Sequence, residues 1–176
     1  MSHHSGIETI NLADDAGAIR LILPLIERSR DIAAVVAAGR PFADPLDLAD
    51  RIADAVNSLE EPSAVALFRR HPELAPPDPA EMTDASQTEQ GRLGLNSNEA
   101  AKIDLARLNR LYSDKFGFPF ILALHEHENI SSVLTAFHER LGRERTAEID
   151  ENRKQICSVS RARVMRAFPA TEEITQ

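Results

Sequence analysis

The chain has 176 residues, 43% hydrophobic and 27% charged, ordinary values for a soluble globular protein with one core. Only 7 glycines and 5% aromatics argue against a β-sandwich or a nucleotide-binding α/β fold. A formal charge of −8, from 20 Lys and Arg against 28 Asp and Glu, disfavours general nucleic-acid or anionic-membrane binding. Cys157 is the only cysteine, so no internal disulfide can form and a reducing compartment is expected. No apolar run approaches the roughly 20 residues that span a bilayer. The N-terminus lacks a signal-peptide pattern, and Ile174-Thr175-Gln176 is no retention or peroxisomal address, so a cytoplasmic location is expected.

Residues 1–15 are polar and are expected to be loosely held. From Ala16 to Ala38, Ile19, Leu21, Ile22, Leu25, Ile26, Ile32, Val35 and Val36 recur at helical spacing. This predicts one helix, or two with a break near Arg28–Arg30. Gly39-Arg40-Pro41 stops it. Pro45–Leu59 is a second amphipathic segment, with Leu46, Leu48, Ile52, Val56 and Leu59 inward. Ala64–Arg70 is a third, ended by His71-Pro72 because proline disfavours helix in the residue before it. The prolines of residues 75–82 predict a stiff surface loop with neither helix nor central strand. Thr83 or Asp84 can cap a helix from Ala85 to about Leu93. Asn96-Ser97-Asn98 caps a longer one, Glu99–Lys115, whose apolar stripe is Ile103, Leu105, Leu108, Leu111 and Tyr112. Phe116–Leu122 reads as a buried turn leading into a short extended piece. Asn129 or Ser131 caps a helix to Leu141, which Gly142 ends. Thr146–Phe168 is a long last helix with Ile149, Ile156, Val159, Val164 and Met165 inward. No stretch alternates with period two for long. The expectation is an all-α, single-domain bundle of roughly seven or eight helices, spanning residues 1–176.

Two short motifs carry candidate chemistry. His71 is followed by Pro72, which restricts where the imidazole can go; the structural alternative is a histidine that merely ends a helix, where a cation favours the dipole. Ser86, Glu89 and Gln90 stand at i, i+3 and i+4, on one helix face. One imidazole facing one carboxylate is the minimum kit for moving protons near neutral pH. Ser86-x-x-Glu89 is equally a capping box, and taken alone that reading prevails. His125-Glu126-His127-Glu128 has the look of a metal site, but helical residues two apart do not share a face and no third ligand is evident. A solvated polar turn is the expectation there, and no metal is assigned. His138 and Glu139 read as surface. Arg161, Arg163 and Arg166 read as a solvated face pairing with acids such as Glu148 or Glu151. Arg163 falls four after Val159, close to the apolar stripe, and turned inward it needs an anionic partner, which a substrate carboxylate would supply. Cys157 reads as a small buried hydrophobe.

Taken in order, His71-Pro72-Glu73-Leu74-Ala75, Ser86-x-x-Glu89-Gln90, Leu108-Asn109-x-x-Tyr112-x-x-Lys115-Phe116-Gly117-Phe118-Pro119-Phe120-Ile121 and the late Arg163 resemble the OHCU decarboxylases. OHCU is 2-oxo-4-hydroxy-4-carboxy-5-ureidoimidazoline, and the family performs the last step of urate oxidation to (S)-allantoin. The likeness covers roughly residues 16–168. It departs where the family often carries a Pro-Trp pair: Arg30-Asp31 stand there, and the chain has no Trp. The Leu-Ala-Leu-His-Glu-His-Glu segment after Ile121 is also unusual for the family.

The resemblance implies an all-α fold, no cofactor, no metal, a small-molecule substrate and a homodimer. It implies that His71 delivers a proton and that Glu89 works with it. Pro72, the turn Ser86-Gln87-Thr88 with Gln90, the backbone of Phe120, Ile121, Leu122, Ala123 and Leu124, and Arg163 would hold the substrate. Two other readings stand beside it. One is a non-catalytic helical ligand-binding or interaction module descended from such an enzyme; the other is a metal protein using His125 and His127.

Overall fold

The computed structural model describes residues 6–169. Residues 1–5, at the start of the stretch expected to be loose, and residues 170–176, with the C-terminal tripeptide, lie outside the described residues. Among the described residues there are nine α-helices and no strand, as the all-α reading requires: α1 (Ile7–Leu12), α2 (Asp15–Ile22), α3 (Arg30–Ala38), α4 (Pro45–Asn57), α5 (Glu61–Phe68), α6 (Asp84–Arg92), α7 (Glu99–Phe116), α8 (Ile130–Leu141) and α9 (Arg145–Ala167). They group into two compact units, residues 6–58 with 160–169, and residues 59–159.

In the first unit, residues 7–12 are held rather than loose. Ile10 is buried, and the Asn11 amide exchanges two 2.8 Å hydrogen bonds with the backbone of Phe42. The predicted break near residues 28–30 is present. After a 3-10 turn at Leu23–Leu25, Glu27 and Arg28 adopt positive φ values of 39° and 44°, and α3 starts at Arg30. Asp44 caps α4 by accepting the Asp47 N–H at 2.8 Å, with Pro45 in the first turn, the favoured use of both residue types. Leu48, Ile52 and Val56 are buried at spacings of four, whereas Leu46 is 43% exposed. Two positions from Leu48, it points to the other side of the helix.

In the second unit, an aromatic cluster forms the centre. Phe120 stacks on Phe137 with centroids 3.8 Å apart, Tyr112 meets Phe120 edge-on at 5.2 Å, and Phe68 meets Phe118 edge-on at 5.2 Å. Asn98 caps α7 by accepting the Ala101 N–H at 3.0 Å. Gly117 ends it in the left-handed region at φ 80°, where glycine carries no Cβ penalty. Two residues of the expected α7 stripe face outward instead: Ile103 is 71% exposed and Leu111 47%, while Leu105, Leu108 and Tyr112 are buried. The proline loop contains a 3-10 turn at Pro79–Glu81. Its first position needs no N–H and so accepts Pro79. Phe118–Ala123 are buried apart from half-buried Pro119, and residues 119–123 have no regular secondary structure.

Candidate active site

The His71 turn is built by the end of α5. The His71 N–H donates to the Phe68 carbonyl at 3.0 Å, and His71 Nδ1 lies 3.3 Å from the Leu67 carbonyl oxygen. A carbonyl only accepts, so this contact keeps a proton on Nδ1 and leaves Nε2 as the other working atom of the ring. The segment that follows is gripped from two helices. From α6, Gln90 accepts the Ala75 N–H at 2.7 Å and donates to the Glu73 carbonyl at 3.0 Å. From α7, the Asn109 amide donates to the Leu74 carbonyl at 2.8 Å. Gln90 and Asn109 are both buried, and Ala75 is held at φ 49°.

Gln90 therefore fixes α6, and with it Glu89, in register with the His71-Pro72 segment. The sequence assigned Gln90 to a ligand; its amide instead bonds to the backbone of the histidine loop. Ser86, Glu89 and Gln90 do share a face, buried or half-buried. Gln87 and Thr88 are exposed on the other side, bonded to the Met82 and Asp84 carbonyls at 3.2 and 2.9 Å. The capping-box reading of Ser86 does not hold. Thr83 is the cap, accepting the Ser86 N–H at 3.3 Å, so Ser86 stands at the third helical position. Pro72 is half-buried beside His71.

The second wall is the irregular backbone of residues 119–124, where side chains take the place of a sheet partner. Arg140 donates to the Ile121 carbonyl at 2.6 Å, Asn152 to the Pro119 carbonyl at 3.2 Å, and Gln155 accepts the Ala123 N–H at 2.7 Å. Arg92 bridges the Leu124 and His127 carbonyls. No backbone or side-chain acceptor among the described residues meets the N–H of Ile121 or of Leu122. Behind the wall lies a buried polar cluster. Arg140 pairs with Glu148 at 2.9 Å, donates to Asn152 Oδ1 at 2.7 Å, and sits with its guanidinium carbon 4.3 Å from the Phe120 ring centre. Tyr112 donates to the same Glu148 carboxylate, and burial pushes the Tyr112 phenol above its ordinary range.

None of that cluster was assigned a role from sequence, although a signal existed. Arg140 falls on the inward stripe Val133, Phe137, Arg140, and Glu148 and Asn152 on the stripe that continues to Ile156. Their polarity argues them outward. Glu148, expected on a solvated face, is fully buried.

In the first unit, Arg163 is 5% exposed, and its guanidinium meets Glu27 at 2.9 Å. The anion that a buried Arg163 needs is thus supplied by the chain. Arg161 is exposed and pairs with Asp50 at 3.1 Å. His125 and Glu126 lie on an exposed 3-10 turn, where Ser158 bonds to both. Among the described residues no three His, Cys, Asp or Glu side chains group as a metal set. Cys157 is half-buried rather than buried.

The protein is all-helical, with a histidine turn tied through Gln90 to the helix that carries Glu89 and an irregular stretch, residues 119–124, whose backbone is held by side chains. The chain belongs to the OHCU decarboxylase family, whose model matches residues 11–165. It is 27% identical over 167 residues to the 2-oxo-4-hydroxy-4-carboxy-5-ureidoimidazoline decarboxylase of Haloferax volcanii, covering 94% of this chain and 98% of that protein. To the protein of the same name from Amia calva it is 36% identical over 143 residues, 77% of this chain and 80% of that one. A crystal structure described as OHCU decarboxylase in the presence of (S)-allantoin has the same fold, with a TM-score of 0.68 at 19% identity, covering 88% of this chain and 97% of that one.

Proposed function

We propose that this chain is a carboxy-lyase converting OHCU to (S)-allantoin in urate degradation, without a cofactor. In the reaction the bond from the ring carbon to its carboxylate breaks and CO2 leaves. The electron pair forms a double bond to the neighbouring ureido-bearing carbon while the imine nitrogen takes a proton; the hydroxyl then gives up its proton to become the ring carbonyl, and a proton adds to one face of the ureido-bearing carbon. The free intermediate decays unaided to racemic product, so the enzyme's task is to hold one face and deliver the proton there. The observation that carries this reading is the Gln90 clamp, which keys the α6 turn bearing Glu89 to the His71-Pro72 segment.

In this reading His71 is the acid. The acid is the imidazolium form: it gives up its Nε2 proton, and the Leu67 carbonyl keeps the remaining proton on Nδ1 of the neutral ring. Glu89 orients or polarises His71. Pro72, Ser86 and the N–H groups of Ile121 and Leu122 line the substrate, while Arg163, whose anionic partner is Glu27, lies outside this set. Gln87 and Thr88, turned away on α6, stand outside this set. The small-molecule substrate, the absence of nucleic-acid and membrane partners, a homodimeric state and a cytoplasmic location complete the proposal. Among the described residues no helix is long and apolar enough to cross a membrane.

The test is to supply freshly generated OHCU and follow allantoin by circular dichroism. The wild type should yield optically active product quickly, and His71→Ala should lose roughly 100-fold or more in rate, the usual worth of a positioned acid. Slow racemic product from the wild type would overturn the reading. A folded His71→Ala protein with undiminished turnover would remove His71 from the chemistry.

A further inference from the structure

Arg140 and Glu148 form an ion pair that is almost completely buried, with side-chain exposures of 4% and 0%. A buried pair of this kind is often no more stabilising than aliphatic side chains of similar volume. Stability is therefore a weak reason for it to be here. An aliphatic side chain could not do what the guanidinium does. One of its edges takes Glu148 and Asn152, and a remaining N–H reaches the Ile121 carbonyl at 2.6 Å. Its planar fork fixes that oxygen in direction as well as distance. Residues 119–123 belong to no helix or sheet, so without such bonds nothing regular would hold the peptide units on either side of Ile121. Those peptide units carry the Ile121 and Leu122 N–H groups, which lack an acceptor among the described residues although both residues are buried. With no acceptor on the protein, these donors are left for a ligand oxygen.

We infer that Arg140, backed by Glu148 and Asn152, is a positioning residue: it fixes the Ile121 peptide so that the neighbouring N–H groups are pre-aimed at a carbonyl or ureido oxygen of the substrate. Gln155 acts with it by holding the Ala123 N–H at the far end of the same stretch. Preorganised backbone donors lose no ordering free energy when substrate arrives. Loosening them should therefore raise KM and blur the choice of face. The inference rests on the decarboxylase reading for its substrate and on the structure alone for the immobilisation of the wall.

The experiment uses the full chain with Arg140→Lys and, separately, Gln155→Ala. The lysine keeps one charge opposite Glu148 but loses the fork. Gln155 is only half-buried, and its removal leaves the ion pair intact, so that variant retains the fold even if Arg140→Lys does not. Amide hydrogen exchange is read at residues 120–124 in the unliganded protein. KM is read from initial rates with OHCU in excess over enzyme, and the enantiomeric excess of allantoin with enzyme in excess over freshly generated OHCU. Either folded variant should exchange at least 10-fold faster at Ala123, with the α7 amides unchanged, and show a KM raised about 5-fold or more with a lower enantiomeric excess. A merely smaller folded fraction would alter rate per total protein but neither KM nor the excess. Wild-type exchange, or a wild-type KM and excess, in either folded variant overturns the inference. A wild type that makes no optically active allantoin sinks the decarboxylase reading and with it the catalytic purpose of Arg140. The exchange data separate that outcome from a failure of Arg140 to fix the wall.

Discussion

At the residue scale, Gln90 serves more of the histidine loop through one side chain than any other residue the sequence singled out. Its amide oxygen and nitrogen serve two peptide units of the histidine loop, at Ala75 and Glu73. Gln90→Leu keeps a comparable volume but leaves the buried Ala75 N–H with no acceptor. The expected cost is about 1–3 kcal/mol, the desolvation penalty of one unmade buried hydrogen bond, read as a lower urea midpoint with unchanged slope. Activity should fall by more than stability alone accounts for, because His71 and Glu89 lose their common register. A variant with normal turnover at temperatures where it is fully folded would show that the register does not matter. Sequence spacing placed Ser86, Glu89 and Gln90 on one face, and they are there. What spacing could not show is that Gln90 faces the backbone of its own chain, since a glutamine has the same donors and acceptors for a peptide as for a ligand. Arg163 teaches the same lesson. Its need for an anion was legible from its place beside the apolar stripe, but Glu27, 136 residues away in the chain, was not.

At the element scale, the termini of α6 and α7 make the sequence reading testable helix by helix. Thr83, not Ser86, caps α6. Thr83→Ala should cost about 1 kcal/mol in denaturant unfolding, and Ser86→Ala should leave the cap intact, its effect falling on catalysis in the proposed reading. Equal loss of stability in the two variants, with no loss of turnover in Ser86→Ala, would restore the capping-box reading. At the other end of the site, a Cβ added to Gly117 would come no closer than 3.9 Å, to Arg69 Nη2. Gly117→Ala is therefore opposed by its φ of 80° and not by space. The loss expected from placing alanine in the left-handed region is about 1–2 kcal/mol, visible as a lower Tm. Helix limits were readable to within a residue or two at most ends because Asn98, Asn129, Gly117 and Pro45 are strong punctuation. Which faces turn inward was less readable. Ile103 and Leu111 are outward, while Arg140, Glu148 and Asn152 are buried, because the polar cluster pairs its own charges and makes most of its own hydrogen bonds, Glu148 Oε1 being left without one. Hydrophobic periodicity scores such a cluster as surface, and the pairing that permits burial is made between helices far apart in sequence.

At the scale of the whole molecule, the pattern of helices was legible but the grouping into two compact units was not. The division falls within α9, between Val159 and Ser160, where no glycine, proline or change of composition marks it. The response of the chain to acid involves three groups that share one direction of shift. Asp47 is held low by the Ala43 N–H, 2.9 Å away, and then by Arg51. Burial works to raise Glu151, but the Gln155 amide and the Arg140 and Arg143 guanidinium groups outweigh it and hold the carboxyl low. His127 is lowered chiefly by burial, and Arg92 and His125 add to this against the opposing pull of Glu126. In each case the unfolded chain takes up the proton more readily than the folded one, so stability rises with pH across the interval between the two affinities. For His127 that interval lies below the ordinary imidazole value of about 6.5. For the two carboxylates it lies below about 4. Acidification should therefore lower Tm in two stages, a first as the pH falls below about 6.5 and a second below about 4. His127→Gln keeps a polar side chain near Ser132, whose hydroxyl lies 3.1 Å from His127 Nδ1, and removes the titrating group. Calorimetry at a series of pH values should then show a shallower first stage in the variant and an unchanged second one. Identical slopes between about pH 6.5 and 4 in the two proteins would mean that the burial of His127 has no part in the acid sensitivity of the fold.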